Sequence, residues 1–300
     1  MFAVAPLEAL VCAGHDVSLA VTQPDRPRGR GMEMALSPVK HKATELGLPI
    51  AQPEKIKNNL EFRAQLEALA PDCIVIVGYG RIVPRWMLDL PRYGNINLHA
   101  SLLPKYRGAA PIQWAIARGE QVTGNTTMRI DEGLDTGDIL LQRELAILPE
   151  DTSATLAPRL AEMGAALLVE TLAALEELQP TPQDDARATL APILTREDGR
   201  IDFSSDALTI CNRFRGFQPW PGAFTRFRGK QLTLHAVSAF VGEHALAAGE
   251  LAAVSERLLA GCGEGTAIAI DELQLEGKRR MSAREFINGY QPKAGETIGS

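Results

Sequence analysis

One stretch near the middle of the chain, residues 95–114, constrains the fold more than any other. It reads NINLHASLLPKYRGAAPIQW. Ile96 and Leu98 alternate with Asn97 and His99, which is the period of a strand that buries one face. A loop rich in Ser, Pro and Gly follows, and Pro111 suits the first turn of a helix. The pattern predicts a strand that ends in an amide and an imidazole, where open α/β sheets bind their ligands.

The same alternation of strand and helix patterns extends over residues 1–178. Cys73–Val77 is a run of five apolar residues, typical of a strand covered on both faces, and the turn Gly78-Tyr79-Gly80 follows it. A long amphipathic helix rich in Ala and Leu closes the region. We therefore expect an α/β fold with a doubly wound, mostly parallel sheet. Such sheets open with a central strand, whereas this chain opens with a helical pattern, so we expect the first strand to be missing.

The composition changes after residue 178. Residues 179–197 contain Pro180, Pro182, Asp184 and Asp185 with little periodicity, and we interpret them as a linker. In residues 198–300, short β patterns are separated by turns. These predict a small C-terminal β-barrel domain of OB type.

Composition and charge limit the classes of protein that remain. The net charge is -6, and four cysteines lie far apart without a Cys-x-x-Cys pair. No apolar run has the length of a membrane span, and no signal-peptide pattern is present. We expect a cytoplasmic monomer with reduced thiols, no structural metal and no tightly bound cofactor. The net negative charge is distributed unevenly along the sequence, because residues 213–230 contain five basic residues and no acidic residue.

Asn97, His99 and Asp135 have side chains that together suit acyl transfer. A neutral imidazole accepts a proton near pH 7, and a carboxylate beside it fixes its tautomer. An amide N–H stabilises a developing oxyanion. None of the three is a good nucleophile, and Ser101 lacks a nucleophile elbow, so the acyl group would pass directly to an incoming amine. The residues alone leave an alternative open, in which Asp135 is a turn residue beside Gly137.

The wider pattern resembles the folate-dependent formyltransferases, and within them those that act on methionyl-tRNA. The resemblance covers nearly the whole chain and rests on seven segments: 22–31, 37–40, 97–99, 101–104, 106–113, 131–138 and 217–222. Residues 278–286 resemble the family's C-terminal domain less specifically. Family members usually begin with a strand and a Gly-Thr-Pro turn ahead of Phe2, and we expect the true start to lie upstream.

The resemblance implies formyl transfer from 10-formyltetrahydrofolate to the α-amino group of initiator methionyl-tRNA, with Asn97, His99 and Asp135 as the catalytic residues. It also implies a folate site lined by Ser101, Leu102, Leu103, Pro104, Gly80, Ile82 and Val83. The implied tRNA contacts are Arg26, Arg28, Arg30, Lys40, Arg213, Arg215, Arg226, Arg228 and Lys230. Two other functions stay open at this point. One is a formyltransferase for a sugar-nucleotide or ribonucleotide amine, and the other is a degenerate RNA- or folate-binding relative.

Overall fold

A computed structural model describes residues 2–28, 33–254 and 256–299. It divides into two compact units, each assembled from separate stretches of chain. Unit 1 consists of Met1–Pro111, Val122–Ala146 and Leu156–Pro192, and unit 2 consists of Ile112–Gln121, Ile147–Thr155 and Ile193–Ser300. The interpreted linker, 179–197, therefore belongs in large part to unit 1. No helix among the described residues is long and apolar enough to cross a membrane.

Helices and strands alternate along most of unit 1. In chain order the elements are α1 Val4–Cys12, β1 Ala20–Val21, β2 Arg26–Arg28, β3 Glu33–Ala35, α2 Pro38–Glu45, β4 Ile50–Ala51, α3 Leu60–Leu69, β5 Ile74–Ile76, α4 Arg85–Leu88, β6 Asn95–His99, α5 Pro111–Ala117, β7 Val122–Arg129, β8 Ile139–Ala146 and α6 Ser153–Ala173. Residues 112–117 of α5 and 153–155 of α6 belong to unit 2.

The sheet of unit 1 is mixed and divided, whereas the sequence predicted one mostly parallel sheet. Strands β1 and β4 pair in parallel as one sheet. Strands β5, β6, β7 and β8 form a second sheet, in which β5 and β6 are parallel and the other pairs are antiparallel. Strands β2 and β3 form a separate hairpin within 23–37, a segment with no strand pattern in its sequence.

Apolar side chains cover both faces of this sheet, so the doubly wound arrangement is confirmed. On one face, Ile96 of β6 packs in a cluster with Leu10 of α1 and Leu168 of α6. On the other face, Ile74 of β5 packs against a cluster formed by Phe62 of α3 and Met87 of α4. Neighbouring residues of a strand point to opposite faces, which is how two adjacent strands supply both layers.

Unit 2 contains an antiparallel sheet and two helices of its own. Its elements are α7 Ala207–Gly216, β9 Ala223–Phe227, β10 Lys230–Ala239, β11 Leu251–Val254, β12 Arg257–Gly261, β13 Ala267–Leu275, β14 Met281–Ser282 and α8 Ala283–Tyr290. The strand order is β11-β12-β13-β10-β9, and β14 adds to β13. Phe227, Leu232 and Phe286 are among the fully buried side chains of its core.

The predicted barrel is not closed by strand pairing, because the edge strands β9 and β11 do not pair with each other. Residues 296–299 contact both edges instead. The Leu251 amide donates to the Glu296 carbonyl at 2.8 Å, and the Gly299 amide donates to the Arg226 carbonyl at 3.1 Å. Ile298 between them is 3% exposed and joins the core. The last described residues thus connect the two edges of an open sheet.

Candidate active site

The end of β6 positions Asn97 and His99 on the same side of the sheet. Ile96 and Leu98 alternate with them and are 0% and 2% exposed, so packing fixes the register of the strand. Strand β6 lies between β5 and β7, and its residue 97 is opposite Ile76 on one side and Met128 on the other. The two polar side chains are therefore held by a strand that is paired along both edges.

The imidazole of His99 is buried, and a backbone carbonyl orients it. Its Nε2 lies 2.9 Å from the carbonyl oxygen of Tyr106, and the residue is 6% exposed. A carbonyl oxygen only accepts hydrogen bonds, so Nε2 carries the proton in the neutral ring. The unprotonated nitrogen is therefore Nδ1, which faces Asp135 at 3.7 Å from its Oδ2.

Asp135 completes a cluster with the two residues of β6. Its Oδ2 accepts a hydrogen bond of 2.8 Å from the Gly108 amide, and its Oδ1 lies 3.4 Å from the Asn97 Nδ2. Asp135 has φ +53°, in the left-handed region that Asp tolerates better than most residues. The structure thus brings together all three predicted catalytic side chains, which lie 38 positions apart in the chain for Asn97 and Asp135.

Residues 101–104 form a compact turn whose side chains alternate between the core and the surface. Ser101 is fully buried and donates to the Lys105 carbonyl at 2.7 Å, and Leu103 is 3% exposed. Leu102 and Pro104 are half-buried. Of this predicted folate segment, Leu102 and Pro104 therefore offer side chains at the surface, and Ser101 and Leu103 fix the turn.

The loop after β5 contains the other predicted folate residues. Gly78 and Gly80 have φ of +56° and +71°, and no atom lies within 4 Å of where a Cβ of either would stand. Val83 is half-buried beneath them. Ile82 is 91% exposed, an unusual state for such a residue. This loop exposes backbone and an apolar side chain, which suits contact with a flat ring.

A second loop, 131–138, is joined by an ion pair to the start of α4, which directly follows the loop after β5. Arg85 pairs with Glu132 at 3.0 Å, and Leu134 beside Glu132 is 63% exposed. Asp131 folds its own loop by accepting hydrogen bonds from Thr136 at 2.8 and 2.9 Å. Leu134 adds a second exposed apolar side chain beside Asp135.

The predicted tRNA contacts of unit 1 are four basic residues, of which the structure describes three. Arg26 and Arg28 lie on β2, and Arg30 lies outside the described residues. Lys40 forms an ion pair with Asp25 and donates to the Gln52 Oε1 at 2.7 Å. The hydrogen bond from Lys40, and after it one from the Gln52 Nε2, hold the pKa of the Asp25 carboxyl below its usual range. Lys40 therefore has a local structural role.

Three of the five basic residues in 213–230 are engaged within unit 2. Arg213 donates to the Asp198 carbonyl at 2.9 Å, and Arg215 donates to the Asp151 carbonyl at the same distance. Arg228 makes a bidentate ion pair with Glu296 at 2.6 and 2.9 Å. Arg226 and Lys230 are exposed, and no side-chain partner of either is found among the described residues. These two are the basic groups of the segment with the most freedom to meet a phosphate.

Other residues support the site without an obvious sequence signal. Gly108 holds the Asp135 carboxylate through its amide, and a Cβ there would lie 2.6 Å from the Ala191 carbonyl oxygen. The Thr189 hydroxyl accepts from the Tyr106 amide at 2.9 Å. Both Thr189 and Ala191 belong to the interpreted linker. Its Pro and Asp content concealed this role, because such composition is shared by mobile linkers and by ordered segments with irregular backbone.

Comparisons with family models and with curated proteins point to the same family. Residues 3–172 match the family model described as "Formyl transferase", and residues 193–291 match "Formyl transferase, C-terminal domain". The curated methionyl-tRNA formyltransferase of Koribacter versatilis is 64% identical over 300 residues, which are 99% of this chain and 96% of the relative. That of Acidobacterium capsulatum is 65% identical over 290 residues, covering 96% and 93%.

Solved structures share the fold at lower identity. An N-formyltransferase from Helicobacter canadensis, solved with folinic acid and dTDP-3-aminofucose, has a TM-score of 0.64 at 17% identity, covering 90% of this chain and 95% of that one. HypX from Aquifex aeolicus in complex with tetrahydrofolic acid has a TM-score of 0.56 at 20% identity, covering 84% and 44%. The two domain matches and the near-complete relatives lead to one assignment. The chain belongs to the formyltransferase family and, within it, to the methionyl-tRNA formyltransferases.

Proposed function

We propose that this chain transfers the formyl group of 10-formyltetrahydrofolate to the α-amino group of initiator methionyl-tRNA, in the cytoplasm, in support of translation initiation. The observation that carries the proposal is the cluster of Asn97, His99 and Asp135 at the end of β6, in a chain 64% identical to a methionyl-tRNA formyltransferase. The cluster contains a proton acceptor, an amide donor and a carboxylate, and this set suits transfer to an amine.

His99 would take the proton that the amine loses as it forms its new bond to the formyl carbon, and would return it to the folate nitrogen as the bond between that nitrogen and the carbon breaks. Its Nε2 is committed to the Tyr106 carbonyl, so the proton is accepted at Nδ1. The imidazolium formed there would face the Asp135 carboxylate, whose Oδ2 is 3.7 Å away in the resting site. The carboxylate holds the orientation of the ring. General base catalysis of this kind contributes about 10²–10⁴-fold.

Asn97 would stabilise the negative charge that develops on the formyl oxygen. One N–H of its amide faces Asp135 across a long contact of 3.4 Å, and an amide group has two N–H donors. The second N–H is available to the substrate oxygen. A donor placed in this way contributes roughly 2.7–4 kcal/mol to lowering the barrier.

The residues around the site fit a folate co-substrate. Two exposed apolar side chains, Ile82 and Leu134, lie on loops that the ion pair between Arg85 and Glu132 links. Open backbone at Gly80 allows a ring to approach closely. Leu102 and Pro104 offer further apolar surface from the turn after β6. The bound folate supplies the formyl group, and the chain supplies its position.

For the tRNA, we propose that basic residues bind its phosphate backbone. Arg226 and Lys230 in unit 2 are the residues of 213–230 whose charges are free for phosphates, with Arg26, Arg28 and Arg30 as contacts from the hairpin segment of unit 1. Arg213, Arg215, Arg228 and Lys40 would contribute less, because each has a partner within the protein. Such binding weakens as the salt concentration rises.

The direct test supplies the purified chain with methionyl-tRNA and 10-formyltetrahydrofolate carrying a labelled formyl group. We expect label on the methionyl-tRNA, at a rate that depends on both substrates. A parallel reaction offers an amino sugar nucleotide in place of tRNA. Label on the sugar with unlabelled tRNA would contradict the proposal, and label on neither would indicate a relative that binds without catalysis.

A further inference from the structure

Gln183 links the two loops that hold the catalytic carboxylate. Its Nε2 donates to the carbonyl oxygens of Asp135 at 2.9 Å and Gly137 at 2.7 Å. Its Oε1 accepts from Nε and Nη2 of Arg107 at 3.0 and 2.8 Å. A glutamine amide has two N–H donors and one oxygen with two lone pairs, so these four bonds use its full capacity. The orientation of the amide is therefore fixed by its partners.

The first of these loops needs such support because its backbone is constrained. Asp135 has a left-handed φ of +53°, and Gly137 lies so close to the Arg129 carbonyl that a Cβ would stand 1.9 Å from that oxygen. Non-glycine residues keep a left-handed conformation only where their surroundings determine it. Two hydrogen bonds from one side chain to the carbonyls of 135 and 137 fix the segment that aims the Asp135 carboxylate.

The second loop is held from the same point. Arg107 is 7% exposed and precedes Gly108, whose amide donates to the Asp135 Oδ2 at 2.8 Å. The backbone of Arg107 also pairs with residues 183–191, a segment that we call the strap. Its amide donates to the Thr189 carbonyl at 2.9 Å, and its carbonyl accepts from the Ala191 amide at 2.7 Å. Gln183 thus contacts both the backbone that carries the carboxylate and the side chain beside its amide donor.

We propose that Gln183 is a positioning residue for formyl transfer, which acts by fixing Asp135 relative to His99 and Asn97. The inference rests on the proposed function, because it takes that cluster as the reacting site. Its own carboxamide is fully used by protein partners and has no donor left for a substrate. Misplacement of a reacting group by about 1 Å costs on the order of 100-fold in rate, which is the effect expected when this link is broken.

The sharpest variant is Gln183→Glu, which keeps the shape of the side chain. A carboxylate still pairs with Arg107, but it has no N–H for the carbonyls of 135 and 137. We expect kcat for methionyl-tRNA formylation to fall about 100-fold, with KM for both substrates within about twofold and a melting temperature within about 3 °C of the wild type. Gln183→Ala should lower kcat by the same factor and also lower the stability, because it removes the oxygen that accepts the hydrogen bonds of Arg107.

The matched control is Asp184→Ala at the next position of the same strap. Asp184 accepts a hydrogen bond from the Ala186 amide at 3.0 Å, and no side-chain hydrogen bond from it to either loop is found among the described residues, so kcat should stay within about twofold. A Gln183→Glu enzyme with wild-type kcat would overturn the inference. An equal loss of kcat in Asp184→Ala would also overturn it, as would a loss of kcat in Gln183→Glu that disappears when the assay is cooled. If the wild-type chain itself forms no formyl-methionyl-tRNA, the proposed function fails instead.

Discussion

At the scale of single residues, the two nitrogens of His99 have different neighbours in the site. The Tyr106 carbonyl occupies Nε2 at 2.9 Å and leaves Nδ1 toward Asp135. In the reaction that we propose, the ring therefore starts in one tautomer. Asn97 completes the set from the same face of the strand, two positions earlier, which is the repeat of an extended chain.

The first prediction concerns the side chains of Asn97 and His99. His99→Ala should lower kcat by about 10²–10⁴-fold, because it removes the proton acceptor. Asn97→Ala should lower it by about 10²–10³-fold through loss of the amide donor. Steady-state rates with the affinity for tRNA measured separately check both. Tight tRNA binding should persist in both variants, and a loss of binding with preserved turnover would contradict the assigned roles.

At the same scale, the structure brings together the three residues that the sequence predicted as catalytic, whereas the sequence indicated little of what supports them. Alternation of apolar and polar residues placed Asn97 and His99 on one face, and packing of Ile96 and Leu98 at 0% and 2% exposure is the reason. The approach of Asp135 needed a family resemblance, because a contact over 38 positions has no local signal. Gln183 was missed, because the three residues that its four hydrogen bonds reach lie on two distant loops.

At the scale of elements, the close approach of α5 and α7 depends on Gly216. A Cβ at that position would stand 2.6 Å from the Gln113 carbonyl oxygen and 2.7 Å from the Ala117 nitrogen. Both contacts are backbone atoms of or next to α5, which cannot move aside as a flexible side chain does. Trp114 packs edge-on against Phe217 one residue further along, with ring centroids 5.3 Å apart.

The second prediction compares two helical glycines of unit 2. Gly216→Ala should destabilise the protein by about 1–3 kcal/mol through overpacking. Gly289→Ala in α8 meets nothing within 4 Å, and it should stabilise by about 0.5–1 kcal/mol, since alanine loses less backbone entropy in a helix. Chemical denaturation of the two variants measures the difference. Equal stabilities would show that α7 shifts away at no cost.

The third prediction concerns the segment 296–299 that connects the sheet edges. Hydrogen bonds from Arg228 hold the pKa of the Glu296 carboxyl below its usual range. A depressed carboxyl pKa gives stabilisation that is present above the unfolded value of about 4.3 and is lost as the pH falls through the folded value. Glu296→Gln should therefore cost about 0.5–1 kcal/mol at pH 7.

The difference between Glu296→Gln and the wild type should narrow as the pH is lowered past about 4, because protonation breaks the ion pair in the wild type as well. Melting curves across this range check it. Glu243→Gln, at an exposed position of the same unit, is the control. A destabilisation that is equal at pH 7 and pH 3 would assign the effect to packing.

Element boundaries show where sequence patterns were sufficient. The short β patterns of residues 198–300 predict the strands of unit 2, but β12 has no such pattern. Arg257 begins β12 at its exposed end, and four buried positions follow it without alternation. The connection that residues 296–299 make between the two sheet edges had no pattern in the sequence, because isolated backbone hydrogen bonds require no periodic arrangement of side chains.

At the scale of the whole molecule, the two units are interleaved along the chain. Residues 112–121 and 147–155 belong to unit 2 although unit 1 residues flank them in sequence. Composition alone indicated one boundary near residue 178, because a change of composition marks a single point. Membership of a compact unit is decided by contacts between distant residues, such as Trp114 with Phe217.

The fourth prediction follows from this interleaving. Of the fragments 1–192 and 193–300, produced separately, 193–300 should lack a cooperative melting transition, because it lacks residues 112–121 and 147–155 of unit 2. Produced together, with an affinity tag on one, they should copurify, since the segment 112–121 recovers its partners. Independent folding of 193–300 with the melting temperature of the intact chain would contradict the division.

The interleaving also bears on how the protein is made. Trp114 leaves the ribosome about a hundred residues before Phe217, its ring partner. At roughly 5–20 residues per second, the apolar face of α5 waits about 5–20 s for that partner. During this interval it is open to chaperones and to other nascent chains. The pace of synthesis between residues 121 and 217 therefore sets how long this protein is vulnerable to misassembly.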